Sequence, residues 1–318
     1  MQYGHSPDGF YPKLRLRIHV LASPVRLILL SLPKRKRIMT AIHHPDLTFA
    51  EVSADDYHFY HTIDLPGLGE MPGEWDLRNA PDEYLGNVIV TNKRVLDMGT
   101  ANGFLSFHME SKGASVVSYD VSPNDDWDIV PRSNKEGSTL ATERRNRIRK
   151  INNAYRLSHN LLNSRAELVR GTIFAIPNLV RPVDITTFSN TLQHVSNPLF
   201  ALQLAARITR ETIVVTERRD DTQPQIISRL LGWLGAATGR TIRRGEMGSS
   251  LIAQSLASIG HPEGTGHHLT PELLKESLRV LGFGDIRISY HRQPVVGSNK
   301  SIPMYTLVAN RTEPIHCD

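Results

Sequence analysis

The segment from Arg94 to Asp120, RVLDMGTANGFLSFHMESKGASVVSYD, constrains the fold more than any other stretch of the chain. A β-branched run ends in Asp97, a turn holds Gly99, Asn102 and Gly103, an apolar stretch of helical character follows, and a second β-branched run ends in Asp120. Strand, glycine turn, helix and strand in this order make a parallel pair with a crossover. Glycine lets the backbone come close to a ligand, and an acid ending the second strand can accept both ribose hydroxyls of a nucleoside. The segment therefore predicts a nucleotide-type site at the carboxyl ends of parallel strands.

The rest of the chain extends that unit. Short apolar runs near 93–98, 115–120, 165–170, 183–189, 211–217, 284–290 and 303–309 alternate with helical stretches at 103–112, 139–163 and 198–208. Thr270, Pro271 and Glu272 form a helix start, with a hydroxyl cap and proline in the first turn, and Gly282 ends that helix. The pattern predicts an α/β fold: a Rossmann-like, seven-stranded, mostly parallel sheet with helices on both faces and a final hairpin of strands six and seven. The polar, glycine-rich stretch 218–266 reads as an insertion after the fifth strand, either a lid over the substrate or an irregular surface excursion. Domain boundaries follow as an N-terminal extension, 1–45, and one domain, 46–318, with its core at 90–310.

Composition narrows the class. At 40% hydrophobic and 22% charged, the 318-residue chain is globular, and disordered, collagenous and coiled-coil compositions are excluded. The one cysteine, Cys317, permits neither an internal disulfide nor a cysteine zinc site, which fits a reducing, cytoplasmic setting. The net charge of +5 misleads, because residues 1–40 carry +7 and the remainder carries −2. The basic arm has apolar runs too short for a membrane span of ~20 residues and lacks a signal-peptide cleavage pattern. It reads as a segment for an anionic membrane face or a partner, or else as a poorly ordered extension, with Met39 an alternative start.

The spacing argues which nucleoside. A dinucleotide site wants G-x-G-x-x-G; here the pattern is D-x-G-x-x-x-G, and Asp97 would repel a pyrophosphate while suiting a cationic sulfonium compound, directly or through water. The turn, the acid at Asp120 and the strand count together resemble class I S-adenosylmethionine-dependent methyltransferases over roughly 90–310. The resemblance implies S-adenosylmethionine as cofactor, held by Asp97, Gly99, Thr100, Gly103, Asp120 and Val121. It also implies adenine contacts at Thr172 and Ile173 after the third strand, and a cofactor and substrate wall at Ser189 and Asn190 after the fourth. Upstream, FYHTIDLPGLGEMPGEWDLRN (59–79) resembles the pre-core segment of a bacterial subgroup distantly similar to the tRNA wobble-uridine carboxymethyl transferase, which implies Trp75 near the cofactor. Trp75 as filler of a hydrophobic seam is the alternative. That relative's lysine-containing stretch is replaced around His61–Asp64, and its tyrosine before the post-fourth-strand histidine is Gln193. Both changes remove groups that would hold an extra carboxylate, so ordinary S-adenosylmethionine is expected.

Methyl transfer needs alignment and, for a hydroxyl or ammonium acceptor, a base. His194 is the first candidate and His61 the second; His58, His267 and His268 are others, and Glu217 ranks below them. Each has a structural alternative, such as bonding a neighbouring turn. Asp125, Asp126 and Asp128 read as a solvated acidic turn, and no metal site is expected. The stripe Arg144, Arg145, Arg147, Arg149 and Lys150 reads as a solvated helix face, or as a phosphate-binding surface. The expected activity is methyl transfer to oxygen or nitrogen of a small molecule; the alternatives are a tRNA-modifying methyl or carboxymethyl transferase and a non-catalytic binding module.

Overall fold

The structure, a computed structural model, describes residues 55–125, 137–219 and 269–314. The basic arm, Asp126 and Asp128, the insertion from 220, His267, His268 and Cys317 lie outside them. A small antiparallel hairpin of β1 (Ile63–Leu65) and β2 (Gly69–Met71) comes first, then α1 (Pro81–Tyr84), β3 (Arg94–Met98), α2 (Phe104–Ser111), β4 (Ser115–Asp120) and α3 (Gly137–Leu161). There follow β5 (Glu167–Arg170), α4 (Ile176–Leu179), β6 (Val183–Ser189), α5 (Pro198–Ile208) and β7 (Thr209–Arg218). The chain closes with α6 (Pro271–Val280), β8 (Asp285–Pro294) and β9 (Ser301–Asn310).

Seven strands form one sheet in the order β5-β4-β3-β6-β7-β9-β8. The first five in that order are parallel, and β9 enters antiparallel between β7 and β8. This is the Rossmann-like architecture expected from the strand and helix alternation. β9 takes the inner position for a reason visible in its residues: Met304–Ala309 are all buried, whereas β8, with Arg287, His291 and Arg292, is mostly exposed and makes a charged edge. The β1–β2 hairpin was not expected from the sequence, since three-residue strands carry too little periodicity to be seen.

Successive strand residues face opposite ways, so the sheet has two cores. On one face Leu96, Val117, Phe188 and Leu307 pack against Ala201, Leu202 and Ala205 of α5 and Leu274 and Leu278 of α6. On the other, Val95, Val116, Ile185 and Val214 pack against Leu105 and Met109 of α2, Ala154 and Tyr155 of α3, and Phe59, Ile63 and Leu77 of the pre-core segment. Caps place the helices: the Asn197 side chain accepts the Phe200 N–H ahead of Pro198, and Thr270 accepts the Leu273 N–H ahead of Pro271. Among the described residues no helix is long and apolar enough to cross a membrane.

Candidate active site

The loops that leave the carboxyl ends of β3, β4, β5 and β6 meet at one edge of the sheet, where ligands of open α/β folds bind. After β3, the Gly99 and Thr100 N–H groups both donate to the Tyr119 carbonyl of β4, at 2.8 and 3.2 Å. Gly103 opens α2 with φ +88°, and a Cβ there would lie 2.3 Å from the Phe107 ring, so only glycine fits. Ala101 also takes a left-handed φ, 51°, which costs a residue with a Cβ roughly 1–2 kcal/mol.

Asp120 holds that strained turn. Its Oδ2 accepts the Ala101 N–H and its Oδ1 the Val121 N–H, each at 2.8 Å. A carboxylate oxygen accepts more than one hydrogen bond, so half-buried Asp120 keeps capacity for a vicinal diol. Burial pushes its pKa above the ordinary value, against the pull of the Arg170 guanidinium. The Gly171 N–H donates to the Asp120 carbonyl at 3.1 Å and the Tyr119 hydroxyl to the Thr172 carbonyl at 2.8 Å, bringing Thr172 and buried Ile173 beside the acid.

Asp97 occupies a different place from Asp120. It is 1% exposed and accepts from Ser106 Oγ at 2.7 Å and Thr187 Oγ1 at 3.0 Å. Ser106 Oγ accepts from Ser118 Oγ at 2.7 Å and lies 2.8 Å from the hydroxyl of buried Thr100. Burial raises the Asp97 pKa while these hydroxyls oppose the rise. Asp97 and Thr100 shape the turn from beneath, so any action of Asp97 on a cation is through the turn rather than by contact.

The loop after β6 is pinned from several sides. Thr191 Oγ1 donates to the Met98 carbonyl at 2.8 Å and to that of Ser189 at 3.2 Å, and the Asn190 N–H to the Thr216 carbonyl at 2.6 Å. Asn190 Nδ2 donates to the Tyr60 hydroxyl at 3.3 Å, and Gln193 Nε2 donates to Asn190 Oδ1. Beneath the loop Glu217, 1% exposed at the end of β7, accepts the Leu192 N–H on Oε1 at 2.8 Å, and its Oε2 has no partner. Burial pushes its pKa up to about 8, against the Leu192, Gln193 and Thr191 N–H groups and the charge of Arg218.

The pre-core segment closes over the turn through a residue that the sequence placed in the turn without a role. Buried Asn102 accepts the His61 N–H on Oδ1 at 2.8 Å and returns Nδ2 to the His61 carbonyl at 3.0 Å. The segment then folds on itself: the Thr62 N–H donates to the Trp75 carbonyl at 2.8 Å, and a Cβ on Gly73 would lie 2.3 Å from the His61 carbonyl carbon. That close approach is the physical need behind Pro72-Gly73-Glu74-Trp75. Trp75 bridges to Val295 at the end of the β8 edge, and the Arg218 guanidinium lies 5.2 Å from its ring centre.

Between these parts is a narrow cleft walled by Tyr60, His61, Trp75, Leu77, Tyr84, Asn190, Gln293 and Met304. His61 Nδ1 and Trp75 Nε1 are buried without partners. Burial pulls the His61 pKa down to about 4, against the charge of Glu74, so its imidazole is neutral at ordinary pH. Trp75, 8% exposed, fills the seam and lines the cleft.

His194, the first candidate base, is not among the walls; it sits exposed at the end of a 3-10 turn, Leu192–His194. Crowding by surrounding atoms and then the charges of Arg218, Arg144 and Arg147 lower its pKa, though water reaching the side chain screens part of that pull. His61 thus lines the cleft and His194 does not. His58 pairs with Glu74 at 2.7 Å, and Asp125 accepts the Ser122 N–H at 2.7 Å, so both hold local structure. Among the described residues no group of three or more His, Cys, Asp or Glu side chains is placed to hold a metal ion. The basic stripe on α3 is partly spent inside the molecule: Arg147 pairs with Glu74, Arg149 with Asp56, and the Lys150 carbonyl accepts the His58 N–H. It is a docking face for the pre-core segment rather than a wholly solvated or free phosphate-binding face.

No family model matches the chain, and no curated protein matches it. Among solved structures it is similar to magnesium protoporphyrin IX methyltransferase from Synechocystis PCC 6803 with bound S-adenosylhomocysteine, at 12% identity and TM-score 0.44, covering 74% of this chain and 82% of that one. It is also similar to the 1,6-didemethyltoxoflavin-N1-methyltransferase of Burkholderia thailandensis, at 13% identity and TM-score 0.40, covering 74% and 78%. A third is an S-adenosylmethionine-dependent methyltransferase from Methanosarcina mazei, at 16% identity and TM-score 0.41, covering 71% and 95%. At these identities and scores nothing about the chemistry of this chain follows from them.

Proposed function

We propose that the chain is an S-adenosylmethionine-dependent methyltransferase acting on an oxygen or nitrogen of a small-molecule acceptor. One observation supports this above the others: the Gly99–Gly103 turn and the Asp120 carboxylate stand side by side at the strand ends, under a pre-core segment that Asn102 ties down. The residues present fit such a cofactor. Asp120 retains acceptor capacity for the ribose hydroxyls, and Val121, Thr172 and Ile173 beside it would meet the adenine.

The cofactor, when bound, supplies a methyl carbon already activated by positive sulfur. The chain's part is to orient and to move a proton. Asn102 fixes the backbone of His61. His61, which lines the cleft and is neutral at ordinary pH, is the candidate to take a proton from an acceptor hydroxyl. His194 lies outside this arrangement.

Calorimetric titration with S-adenosylmethionine and with S-adenosylhomocysteine tests the reading. Both should bind to the full chain, and binding by neither would remove it.

A further inference from the structure

We infer that Glu217 is a positioning residue of the site: from within the core it fixes the loop after β6 and, through Thr191, the Gly99 turn against which a cofactor would lie. The hold on the loop stands by itself; its consequence for a cofactor rests on the function proposed above.

A sheet position this deep is ordinarily apolar. Ile213 and Val215, two and four residues earlier on the same face of β7, point into the core that holds Leu192 and Leu307, and Glu217 is itself 1% exposed. An acid there costs free energy unless it meets partners. Its register partner on β9, Tyr305, gives its hydroxyl to the Leu269 carbonyl at 2.6 Å. What Glu217 meets is backbone: Oε1 accepts the Leu192 N–H at 2.8 Å, and the Thr191 and Gln193 N–H groups are drawn to the same carboxyl.

The 3-10 turn Leu192–His194 requires that acceptor. The first N–H groups of a helical turn have no partner within it, and an N-cap hydroxyl ordinarily supplies one. Thr191 stands at the N-cap and makes no such bond, because its Oγ1 donates to the Met98 carbonyl of β3 at 2.8 Å and to that of Ser189 at 3.2 Å. Glu217 caps the turn from the neighbouring strand instead, and the Thr191 hydroxyl is left to tie the loop to β3.

The loop so held touches the site at two points. Thr191 is pressed on the turn after β3, for a Cβ on Gly99 would lie 2.6 Å from Thr191 Oγ1. Asn190 takes a left-handed φ of 56°, which a residue with a Cβ keeps only where its surroundings fix it, and its Nδ2 reaches the Tyr60 hydroxyl at 3.3 Å. Close packing leaves no slack between these groups. A loop released at Leu192 therefore moves Thr191 against Gly99 and Asn190 against Tyr60.

The experiment compares the full chain with Glu217→Met, which keeps the side chain's length without a strong acceptor, and Glu217→Gln, which keeps the oxygen. Burial lifts the carboxyl pKa to about 8, so at neutral pH glutamine matches its charge as well. Each variant is checked for cooperative unfolding and then read by amide exchange, by the nitrogen-15 signal of Gly99 and by calorimetric titration with S-adenosylhomocysteine. Glu217→Met should speed exchange of the Leu192 amide about tenfold while β3 and β6 keep their protection, move the Gly99 signal, and weaken S-adenosylhomocysteine about tenfold, the scale of one lost hydrogen bond. Glu217→Gln should restore all three. A lowered unfolding midpoint with the Gly99 signal and the affinity unchanged would make Glu217 a stabilising cap only and overturn the inference, as would a glutamine variant no better than methionine. Thr191→Val reaches the same link from the loop and decides the matter if Glu217→Met does not fold: weakened S-adenosylhomocysteine supports the inference and full affinity overturns it. Should every variant bind S-adenosylhomocysteine as the wild type does, the inference fails while the methyltransferase reading stands. Should the wild type bind none, that reading falls, and the exchange and Gly99 signals decide the hold on the loop.

Discussion

Asp120 carries two loads that can be separated. Its carboxylate would receive the ribose diol, and it also holds the Ala101 N–H in a left-handed turn. Asp120→Ala should lower cofactor affinity at least tenfold by calorimetry and cost about 1–2 kcal/mol of stability through the unpartnered amides. Adding Ala101→Gly should return part of the stability, because glycine takes that φ without strain, and none of the affinity. If affinity returned with stability, the ribose assignment would be wrong. Glu217 offers a second residue-scale test. Its carboxyl is held near a pKa of about 8, so between pH 4.5 and 8 the folded chain keeps a proton that the unfolded chain has released. Stability falls across that window as pH rises, by about 1.4 kcal/mol per pH unit. Glu217→Gln should abolish this part of the decline in thermal midpoint between pH 6.5 and 8.0; an unchanged decline would assign it elsewhere.

At the scale of elements, the pre-core segment is a separate piece of chain made part of the site by Asn102 and by α3. Asn102→Ala leaves both the His61 N–H and carbonyl without their partners in a buried place, which costs about 1–3 kcal/mol for each group. The core sheet should survive, and amide exchange should rise first in residues 57–77, since the segment opens without breaking the strand ladder. Protection lost equally in β3 and β6 would show that the segment is integral to the whole fold. By contrast Arg147→Ala breaks a half-exposed pair with Glu74 and should cost no more than about 1 kcal/mol. The ordering of these two variants by urea denaturation decides whether backbone bonding or ion pairing docks the segment.

At the scale of the whole molecule, two buried groups oppose each other. His61, held neutral down to about pH 4, favours the folded chain as pH rises from 4 to 6.5, because the unfolded chain must first lose that proton. Glu217 acts with the opposite sign from 4.5 to 8. Their slopes cancel between 4.5 and 6.5, and only the decline from Glu217 continues above, about 2 kcal/mol by pH 8. The joint contribution of these two groups should therefore be nearly flat through mildly acid pH and fall toward pH 8; a rise over that last interval that Glu217→Gln leaves unchanged, measured by urea denaturation, would contradict the Glu217 assignment. A bound cofactor raises the whole curve by mass action without changing this shape, unless it titrates either group.

The residues themselves determined the sheet. Strand and helix alternation from residue 93 onward, the capped start at Thr270, and the Asp97 to Asp120 unit are local patterns, and local periodicity survives without knowledge of the fold. The site was legible only where it is local, at the turn and at Asp120. Which histidine meets the cleft, the inward turn of Asp97, the docking use of the α3 arginines and the grip of Asn102 on a segment 41 residues away all depend on contacts distant in sequence. Burial and pairing are properties of the packed molecule, so the same imidazole or guanidinium reads alike in the sequence whether it lines a pocket, braces a loop or faces water.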